Sequence, residues 1–341
     1  MLLRCAAWLS AIFCIPLFLV PVLDCIGCGT WGSCRVERCT RKLKWVMRRI
    51  YGPRMFDSLL RLLHYIFYTN NCIGQIFYCI VAVGSSCFVV ILAYIWLPYS
   101  LLGIAHRLGW ILTLSIGLML FVLCASSNPG YIAEKQAQKF SMVYDTDKEL
   151  YSSDRECSTC LFTKPARTKH CRFCNRCVAR FDHHCCWIGN CIGAGNHRYF
   201  LLFLAWHTLQ SLYGLLICAT ILMDIIQTKR LRSAIFIEGT TGKRFQATFL
   251  IIVQYLVVNH APVMVCTLMA ILFAIFLMVF TSFHIYATLI KNFSTNECFK
   301  MRRQSWKESK RGNKNLYNKG FVENCYEIFF WESWCKEKYR R

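Results

Sequence analysis

The chain has 341 residues, of which 56% are hydrophobic and only 17% are charged, yet its formal net charge is +22. This hydrophobic fraction lies far above the globular norm and argues against an ordinary soluble protein, while the basic excess points to positively charged water-facing segments. The composition therefore predicts an integral membrane protein with basic segments outside the bilayer.

The first apolar run covers residues 2–23 and contains one charge, Arg4. Such a run is either a secretory signal peptide or a retained anchor. It is long for the apolar core of a signal peptide, Pro16 and Pro21 interrupt it, and no small-x-small cleavage site closes it. We therefore predict a membrane anchor over residues 1–23.

Residues 24–71 carry nine Lys or Arg against three acidic residues, a balance typical of a cytosolic loop. Near the end of this loop, an aliphatic cluster predicts an interfacial helix. Its members are Leu59, Leu60, Leu62, Leu63 and Ile66. Four cysteines of this loop are loosely spaced and have no histidine beside them, so we interpret them as juxtamembrane thiols that can be acylated rather than as a metal site. They are Cys25, Cys28, Cys34 and Cys39.

Two apolar segments, 72–97 and 108–125, are each near the length needed to cross roughly 30 Å of hydrocarbon. The connector between them is short and carries Arg107 as its full charge, which suits a lumenal turn. The sequence Asn128-Pro129-Gly130 predicts a turn that ends the second of these spans.

Farther along, residues 199–223 predict another span, followed by a lumenal loop over 224–247. The next apolar run, 248–290, is long enough for two spans, but Asn259, His260 and Pro262 interrupt it. One span near 263–287 keeps the basic C-terminal tail on the cytosolic side, whereas two would move the tail to the lumen. We predict one span, and 248–262 stays open as a re-entrant segment or part of a span.

With five spans, the segments 24–71, 126–198 and 291–341 share one side of the membrane and hold 33 of the 40 Lys and Arg residues. This asymmetry predicts that their side is the cytosol, where reducing conditions keep thiols available. The topology also predicts that the sequon Asn292-Phe293-Ser294 is never glycosylated. The predicted order is an anchor (1–23), a basic loop (24–71), two spans (72–125), a cytosolic cysteine-rich domain (126–198), two spans around a lumenal loop (199–290) and a basic tail (291–341).

Residues 157–191 contain eight cysteines and three histidines, a density that packing does not explain and that indicates zinc. Cys157 and Cys160, like Cys171 and Cys174, have the Cys-x2-Cys spacing that presents two thiolates to one tetrahedral ion. Two closed sites need eight ligands from these eleven candidates, and spacing alone does not identify the three that remain.

A catalytic thiolate belongs outside the ligand set, because a sulfur bound to zinc in a closed site is already occupied. The run Asp182-His183-His184-Cys185 offers what a nucleophile requires. A free thiol with a pKa of about 8.5 is only a few per cent thiolate at neutral pH, and an imidazole held by a carboxylate can take its proton.

The pattern Cys157-x2-Cys160-x9-His170-Cys171-x2-Cys174-x2-Cys177-x4-Asp182-His183-His184-Cys185-x5-Cys191 resembles the cysteine-rich domain of DHHC-type protein S-acyltransferases at every position. The resemblance covers most of the chain from about residue 60, although Asn128 stands where the family has aspartate. Two tail segments are similar to the family's Thr-Thr-x-Glu and Asn-Pro-Tyr-Asp-x-Gly…Asn elements. They are Ser294-Thr295-Asn296-Glu297 and Asn315-Leu316-Tyr317-Asn318-Lys319-Gly320 with Asn324.

The resemblance implies an all-α integral membrane protein with a four-helix core, here extended to about five transmembrane helices, and two structural Zn²⁺ ions per chain. One ion would be bound by Cys157, Cys160, His170 and Cys177. The other would be bound by Cys171, Cys174, His184 and Cys191. Cys186 receives no role.

The resemblance also implies two-step acyl transfer. Cys185, deprotonated by His183 with Asp182 orienting the ring, would take a long-chain acyl group from palmitoyl-CoA or a similar acyl-CoA and pass it to a protein cysteine. Thr295 would bond the catalytic aspartate, and Asn324 would belong to the element that packs the tail against the catalytic domain. Three basic residues match family positions that bind the CoA phosphates. They are Lys164, Arg167 and Lys169.

The implied partners are the bilayer, long-chain acyl-CoA and proteins with juxtamembrane cysteines. The implied location is the endoplasmic reticulum or Golgi membrane, with the catalytic domain and the C-terminus in the cytosol. Two other functions stay open. A zinc-organised membrane adaptor without catalysis would need the same ligands but not the Cys185 thiol. A nucleic-acid-binding zinc knuckle would use the basic charge, but such a module seldom lies between spans, so we expect no nucleic-acid partner.

Overall fold

A computed structural model describes residues 45, 48, 49, 52–69, 71–97, 101–146, 151, 155–237, 242, 244–305 and 315–339. The predicted anchor and the four loosely spaced cysteines lie outside these residues. The chain divides into two compact units. The first comprises Met1–Ile76, Ser127–His197 and Ala287–Arg341, and the second comprises Phe77–Ser126 and Arg198–Tyr286.

The first unit contains an amphipathic helix, α1 (Pro53–Tyr68). Gly52 precedes it with φ 76°, a conformation that favours glycine. Pro53 occupies the first turn. Backbone N–H groups of the first turn have no intrahelical acceptor, so proline's lack of an N–H costs no hydrogen bond there. The helix contains the whole aliphatic cluster from which an interfacial helix is predicted.

Short strands and turns build the cysteine-rich part of this unit. One antiparallel sheet has the order β1 (Tyr131–Ile132), β3 (Arg176–Val178), β2 (Lys169–Cys171), and a separate hairpin pairs β4 (His183–Cys185) with β5 (Asn190–Ile192). Helix α4 (Glu134–Ser141) follows β1. Because the cysteine-rich part is built from strands and turns, the protein is mostly helical rather than all-α.

The tail of the first unit adds three helices, α8 (Thr295–Ser305), α9 (Phe321–Phe329) and α10 (Trp331–Tyr339). An aromatic core joins α9 and α10 to the segment after α4. Tyr144 lies 6.1 Å from Trp331 and 5.5 Å from Trp334 between ring centroids, and it meets Tyr317 edge-on at 5.7 Å. Burying these large rings supplies hydrophobic stabilisation that the short strands do not.

Among the described residues, four helices are long and apolar enough to cross a membrane. They are α2 (Ile73–Trp96), α3 (Leu101–Ser126), α5 (His197–Thr228) and α7 (Ala261–Ile285), which continues as a π-helical turn over Tyr286–Ile290. These helices include the four core spans expected from the sequence.

The helices differ from the predicted spans at two places in the second unit. Helix α3 begins at Leu101, so Arg107 lies within the helix, where its guanidinium is 5.4 Å from the centre of the Tyr94 ring.

The run before α7 forms a separate helix of 11 residues, α6 (Phe249–Asn259). Pro262, in the first turn of α7, accounts for the break, since proline cannot continue a helix from the preceding turn. The predicted lumenal loop contains a hairpin of β6 (Ile235–Ile237) and β7 (Arg244–Gln246).

Candidate active site and metal-binding clusters

Two β-hairpins of the first unit position the predicted metal ligands. In one, His170 on β2 lies directly opposite Cys177 on β3. In the other, His184 on β4 lies directly opposite Cys191 on β5. Each hairpin thus contributes one histidine and one cysteine to a cluster, and a Cys-x2-Cys turn earlier in the chain contributes the other two sulfurs.

The ligand atoms of the first cluster have the separations that tetrahedral zinc requires. His170 Nδ1 lies 3.5, 3.3 and 3.9 Å from the sulfurs of Cys157, Cys160 and Cys177. Zinc–sulfur bonds of about 2.3 Å and zinc–nitrogen bonds of about 2.0 Å give tetrahedral edges of roughly 3.5 to 3.8 Å. The cluster therefore fits a closed, four-ligand metal site.

The second cluster has the same geometry. His184 Nδ1 lies 3.7, 3.5 and 3.6 Å from the sulfurs of Cys171, Cys174 and Cys191. In each cluster all four ligand atoms lie within 4.8 Å of one another, and the two sets are those implied by the family resemblance. Each ligand of the second set follows its counterpart in the first by 14 residues, so one ligand pattern is used twice and the two sites interleave along the chain.

Cys185 lies outside both clusters, at the end of β4, and its residue surface is only 9% exposed. Its thiol shares a hydrogen bond with the ring of His183. Nδ1 of that ring lies 2.6 Å from Asp182 Oδ2. The three residues therefore form a carboxylate–imidazole–thiol chain, the arrangement that activates a cysteine nucleophile.

Burial disfavours the charged forms of both His183 and Cys185, but their hydrogen bonds and charge interactions outweigh it. With Asp182 also bonded to the ring, the pKa of His183 rises to about 10. The pKa of Cys185 falls below its ordinary value because His183 stabilises the thiolate. Both pKa shifts act in the direction of a thiolate beside an imidazolium, and the thiolate is the reactive form of a cysteine.

Asp182 is buried and is held by the first turn of α8. Thr295 donates its hydroxyl to Asp182 Oδ2 at 2.9 Å and its backbone N–H to Oδ1. Donors to both oxygens fix the orientation of the carboxylate. The structure thus places Thr295 where the resemblance implies.

Arg167 has a different environment from the one that its predicted contact with CoA requires. Its side chain is fully buried, bonds Glu297 at 2.8 Å and lies 3.2 Å from Glu327. The rings of Tyr144 and Tyr317 lie 4.9 and 4.6 Å from its guanidinium carbon. An enclosed guanidinium that already has two carboxylate partners offers no face to a phosphate. This corrects the assignment of Arg167 as a CoA contact.

Arg167 belongs to a buried ionic network that sequence reasoning missed. Arg180 lies 3.0 Å from Glu327 and donates to Asn292 Oδ1 at 2.9 Å, while Asn292 Nδ2 donates to Glu327 Oε2 at 2.8 Å. The sequence signal for this network is Glu297, in the motif after the last long helix. The two arginines carry no local signature for this network, since the Glu297 partner of Arg167 and the Asn292 partner of Arg180 lie more than 100 positions away in the chain.

Two buried asparagines tie the tail to the end of the last long helix. Asn324 donates to the backbone carbonyl of Leu289 at 2.9 Å, and Asn292 donates to that of Tyr317 at 2.8 Å. Asn324 is therefore placed to pack the tail, as the resemblance implies. Asn292, although it begins a sequon, presents no exposed amide.

Lys164 and Lys169 line a cavity of about 110 Å³ together with Arg155 and Lys300. Lys300 Nζ lies 4.2 Å from the centre of the Tyr151 ring, which forms part of the wall. Among the residues that the structure describes, the lining contains four cationic side chains and no carboxylate. Such a cavity favours phosphate groups. Arg155 and Lys300 are additions that the sequence pattern does not reveal.

Asn128 retains the turn chemistry expected at its position. Its Oδ1 accepts hydrogen bonds from the backbone N–H groups of Gly130 and Tyr131, both at 2.9 Å. Gly130 itself has φ 99°. A neutral acceptor is therefore sufficient to close the turn after α3.

Among the described residues, four helices are long and apolar enough to cross a membrane, and the cysteine-rich part holds a thiol bonded to an imidazole that is itself bonded to a carboxylate. The chain belongs to the DHHC palmitoyltransferase family, whose model matches residues 150–302. It is 32% identical over 249 residues to palmitoyltransferase ZDHHC4 of Mus musculus, which covers 70% of this chain and 68% of that protein. For ZDHHC4 of Rattus norvegicus the identity is 33% over 229 residues, covering 63% and 65%.

Another relative is palmitoyltransferase swf1 of Schizosaccharomyces pombe, 36% identical over 169 residues that cover 48% of this chain and 45% of the relative. The chain therefore spans about two thirds of the length of its rodent relatives and about half of the yeast protein.

Proposed function

We propose that this chain transfers a long-chain acyl group, such as palmitoyl, from acyl-CoA to cysteine thiols of proteins through a thioester on Cys185. One observation carries the proposal. The Asp182–His183–Cys185 chain gives a thiol outside both metal clusters a bonded imidazole as its base.

In the first step, His183 holds the proton of Cys185 and the thiolate attacks the carbonyl carbon of the acyl-CoA thioester. The carbon–sulfur bond to CoA then breaks, and the acyl group remains on Cys185. The departing CoA thiolate takes the proton from His183. Asp182 orients the imidazole and stabilises its positive charge throughout this step.

In the second step, His183 accepts the proton of a substrate cysteine, whose thiolate attacks the Cys185 thioester. The bond from the carbonyl carbon to the Cys185 sulfur breaks, and the acyl group passes to the substrate. Cys185 is left as a thiolate beside protonated His183, which restores the starting state. Each step exchanges one thioester for another.

We also propose that each tetrad binds one Zn²⁺, and the ligand separations support this. The metal would supply structural cross-links in a segment that is too short and polar to build its own hydrophobic core. His184 and Cys191, which flank Cys185 in the sequence, would then hold the hairpin that carries the nucleophile.

The four-cation cavity is the proposed site for the phosphates of CoA. Lys164 and Lys169 keep the role that the resemblance implies, and Arg155 and Lys300 join them. The cavity lies in the same compact unit as Cys185. It would hold the charged end of the substrate in water while the fatty chain enters the bilayer.

Charge asymmetry supports the proposed orientation. The segments 126–198 and 291–341, with the basic loop 24–71, carry most of the Lys and Arg residues and are therefore assigned to the cytosol. We propose the endoplasmic reticulum or Golgi membrane as the location. Protein substrates with cysteines close to the bilayer fit a membrane-bound acyl donor.

The test is autoacylation of the detergent-purified chain with a clickable palmitoyl-CoA. Wild type is expected to take up label that hydroxylamine removes, and Cys185→Ser is expected to lose the label while retaining two zinc ions per chain. Cys186→Ser is the matched control, because its thiol is adjacent but has no role in the proposed chain.

Two results contradict the proposal. Label that persists in Cys185→Ser but disappears in Cys186→Ser would show that the nucleophile is the neighbouring cysteine. A folded, zinc-loaded wild type that takes no label would favour a membrane adaptor without catalysis.

A further inference from the structure

The turn that follows the nucleophile connects β4 to β5 and consists of Cys186-Trp187-Ile188-Gly189. Gly189 closes this turn by donating its N–H to the Cys185 carbonyl at 2.8 Å, and it has φ 65°, a conformation that favours glycine. Ile188 is completely buried. The position of Cys185 is therefore coupled to the position of this turn.

The first turn of α2 packs directly against it. A Cβ atom added to Gly74 would lie 2.1 Å from the carbonyl oxygen of Cys186, so the two backbones approach as closely as only glycine allows. Gln75 Nε2 donates to the Ile188 carbonyl at 2.7 Å. A Cβ atom on Gly189 would in turn lie 2.7 Å from Gln75 Nε2.

The start of α2 is itself fixed. Asn71 Oδ1 accepts a hydrogen bond from the Ile73 N–H at 2.9 Å, which is a helix-capping interaction. Asn190 lies opposite Cys185 in the β4–β5 register. Its side-chain amide donates to the Ser127 carbonyl at 2.9 Å. The hairpin end is thus held from two segments that are separated by about 50 residues.

We propose that Gly74 and Gln75 are positioning residues for Cys185. They hold the Cys186–Gly189 turn, and through it the thiol, at the start of the first helix of the membrane core. This inference rests on the proposed role of Cys185 as the nucleophile. Because a displacement of about 1 Å can reduce a rate 100-fold, loss of either contact slows acyl transfer without touching the Asp182–His183 bond or the cation-lined cavity.

The test uses steady-state autoacylation with palmitoyl-CoA in detergent, with zinc content and thermal stability measured on the same samples. Gln75→Leu removes the donor. Gln75→Glu keeps the size and shape of the side chain but cannot donate while ionised. Both are expected to lower kcat about tenfold and to leave KM for palmitoyl-CoA within twofold, with two zinc ions per chain and unchanged stability. The matched control is Gln227→Leu, an exposed glutamine at the end of another membrane helix.

Gly74→Ala is expected to lower kcat by at least tenfold with the same unchanged KM. Gly84→Ala is its control in the same helix, because an added Cβ there meets no atom within 4 Å.

Three results overturn the proposal. The first is a wild-type kcat in both Gln75 variants. The second is a lower kcat in Gln75→Leu with a wild-type kcat in Gln75→Glu, which would show that only side-chain volume matters. The third is an activity loss accompanied by loss of zinc or stability, which would show a purely structural role. Failure of the underlying function is distinct, because wild type would then take no label or Cys185→Ser would retain it.

Discussion

Thr295 donates its hydroxyl to Asp182 at 2.9 Å, although 113 positions separate the two residues in the chain. The bond connects the first turn of the tail helix α8 to the carboxylate that holds His183. The tail therefore takes part in the proposed catalytic chain, since it orients the group that orients the base.

Replacing Thr295 by valine removes this donor and keeps the shape of the side chain. We expect Thr295→Val to lower the autoacylation rate about tenfold, since hydrogen bonds to charged groups contribute about 1.5–3 kcal/mol. Zinc content should not change. Thr220→Val is the control, because the Thr220 hydroxyl donates to the Leu216 carbonyl of its own helix. An unchanged rate in Thr295→Val would show that the backbone N–H alone orients Asp182.

Arg167 is expected to act on stability rather than on CoA binding. Arg167→Met removes the guanidinium that pairs with the buried carboxylates of Glu297 and Glu327. Removing one partner of a buried ion pair lowers the free energy of unfolding by about 3–5 kcal/mol. The loss should appear as a lower thermal midpoint in detergent. The exposed Arg232→Met is the control. Wild-type stability with a raised KM for palmitoyl-CoA would restore the original assignment of Arg167 to the CoA site.

Lys300 should make acyl-CoA binding sensitive to pH. Burial lowers the pKa of Lys300 to about 8. The positive charges of Lys169, Arg155 and Lys164 act in the same direction, and the negative charge of Glu297 opposes them. Its ammonium is present below that pH and is lost above it. KM for palmitoyl-CoA should therefore rise as pH increases from about 7 to 9.

The matched variant for this prediction is Lys300→Met, which should have a severalfold higher KM at pH 7 and little further rise to pH 9. If its pH profile parallels that of wild type, a different group is responsible.

Metal binding should be required for folding of the cysteine-rich domain. Cys177 is completely buried, and its sulfur lies 3.9 Å from His170 Nδ1. We expect elemental analysis to find fewer metal ions per chain in Cys177→Ser than in wild type. We also expect this variant to lose autoacylation. Cys186→Ser should retain both ions. Two zinc ions in Cys177→Ser would mean that its sulfur is not a ligand.

Several features could be read from the sequence because they depend on local pattern. Apolar length identified the four core helices, since a chain in hydrocarbon must satisfy its backbone hydrogen bonds within each segment. Proline at 262 marked the break before α7, because the missing N–H acts within one helical turn. The resemblance implied the ligand sets and the Asp182–His183–Cys185 run because those residues lie within 35 positions of one another.

The packing of distant segments determines which charges reach solvent and which residues meet across the chain. Arg167, Lys164 and Lys169 look alike in sequence, yet the first is buried between two carboxylates and the others face a cavity. Those carboxylates come from the tail, and Gln75 reaches Ile188 from 113 positions away. Such contacts depend on how distant segments pack, and a single side chain carries no periodicity or spacing that announces its partner.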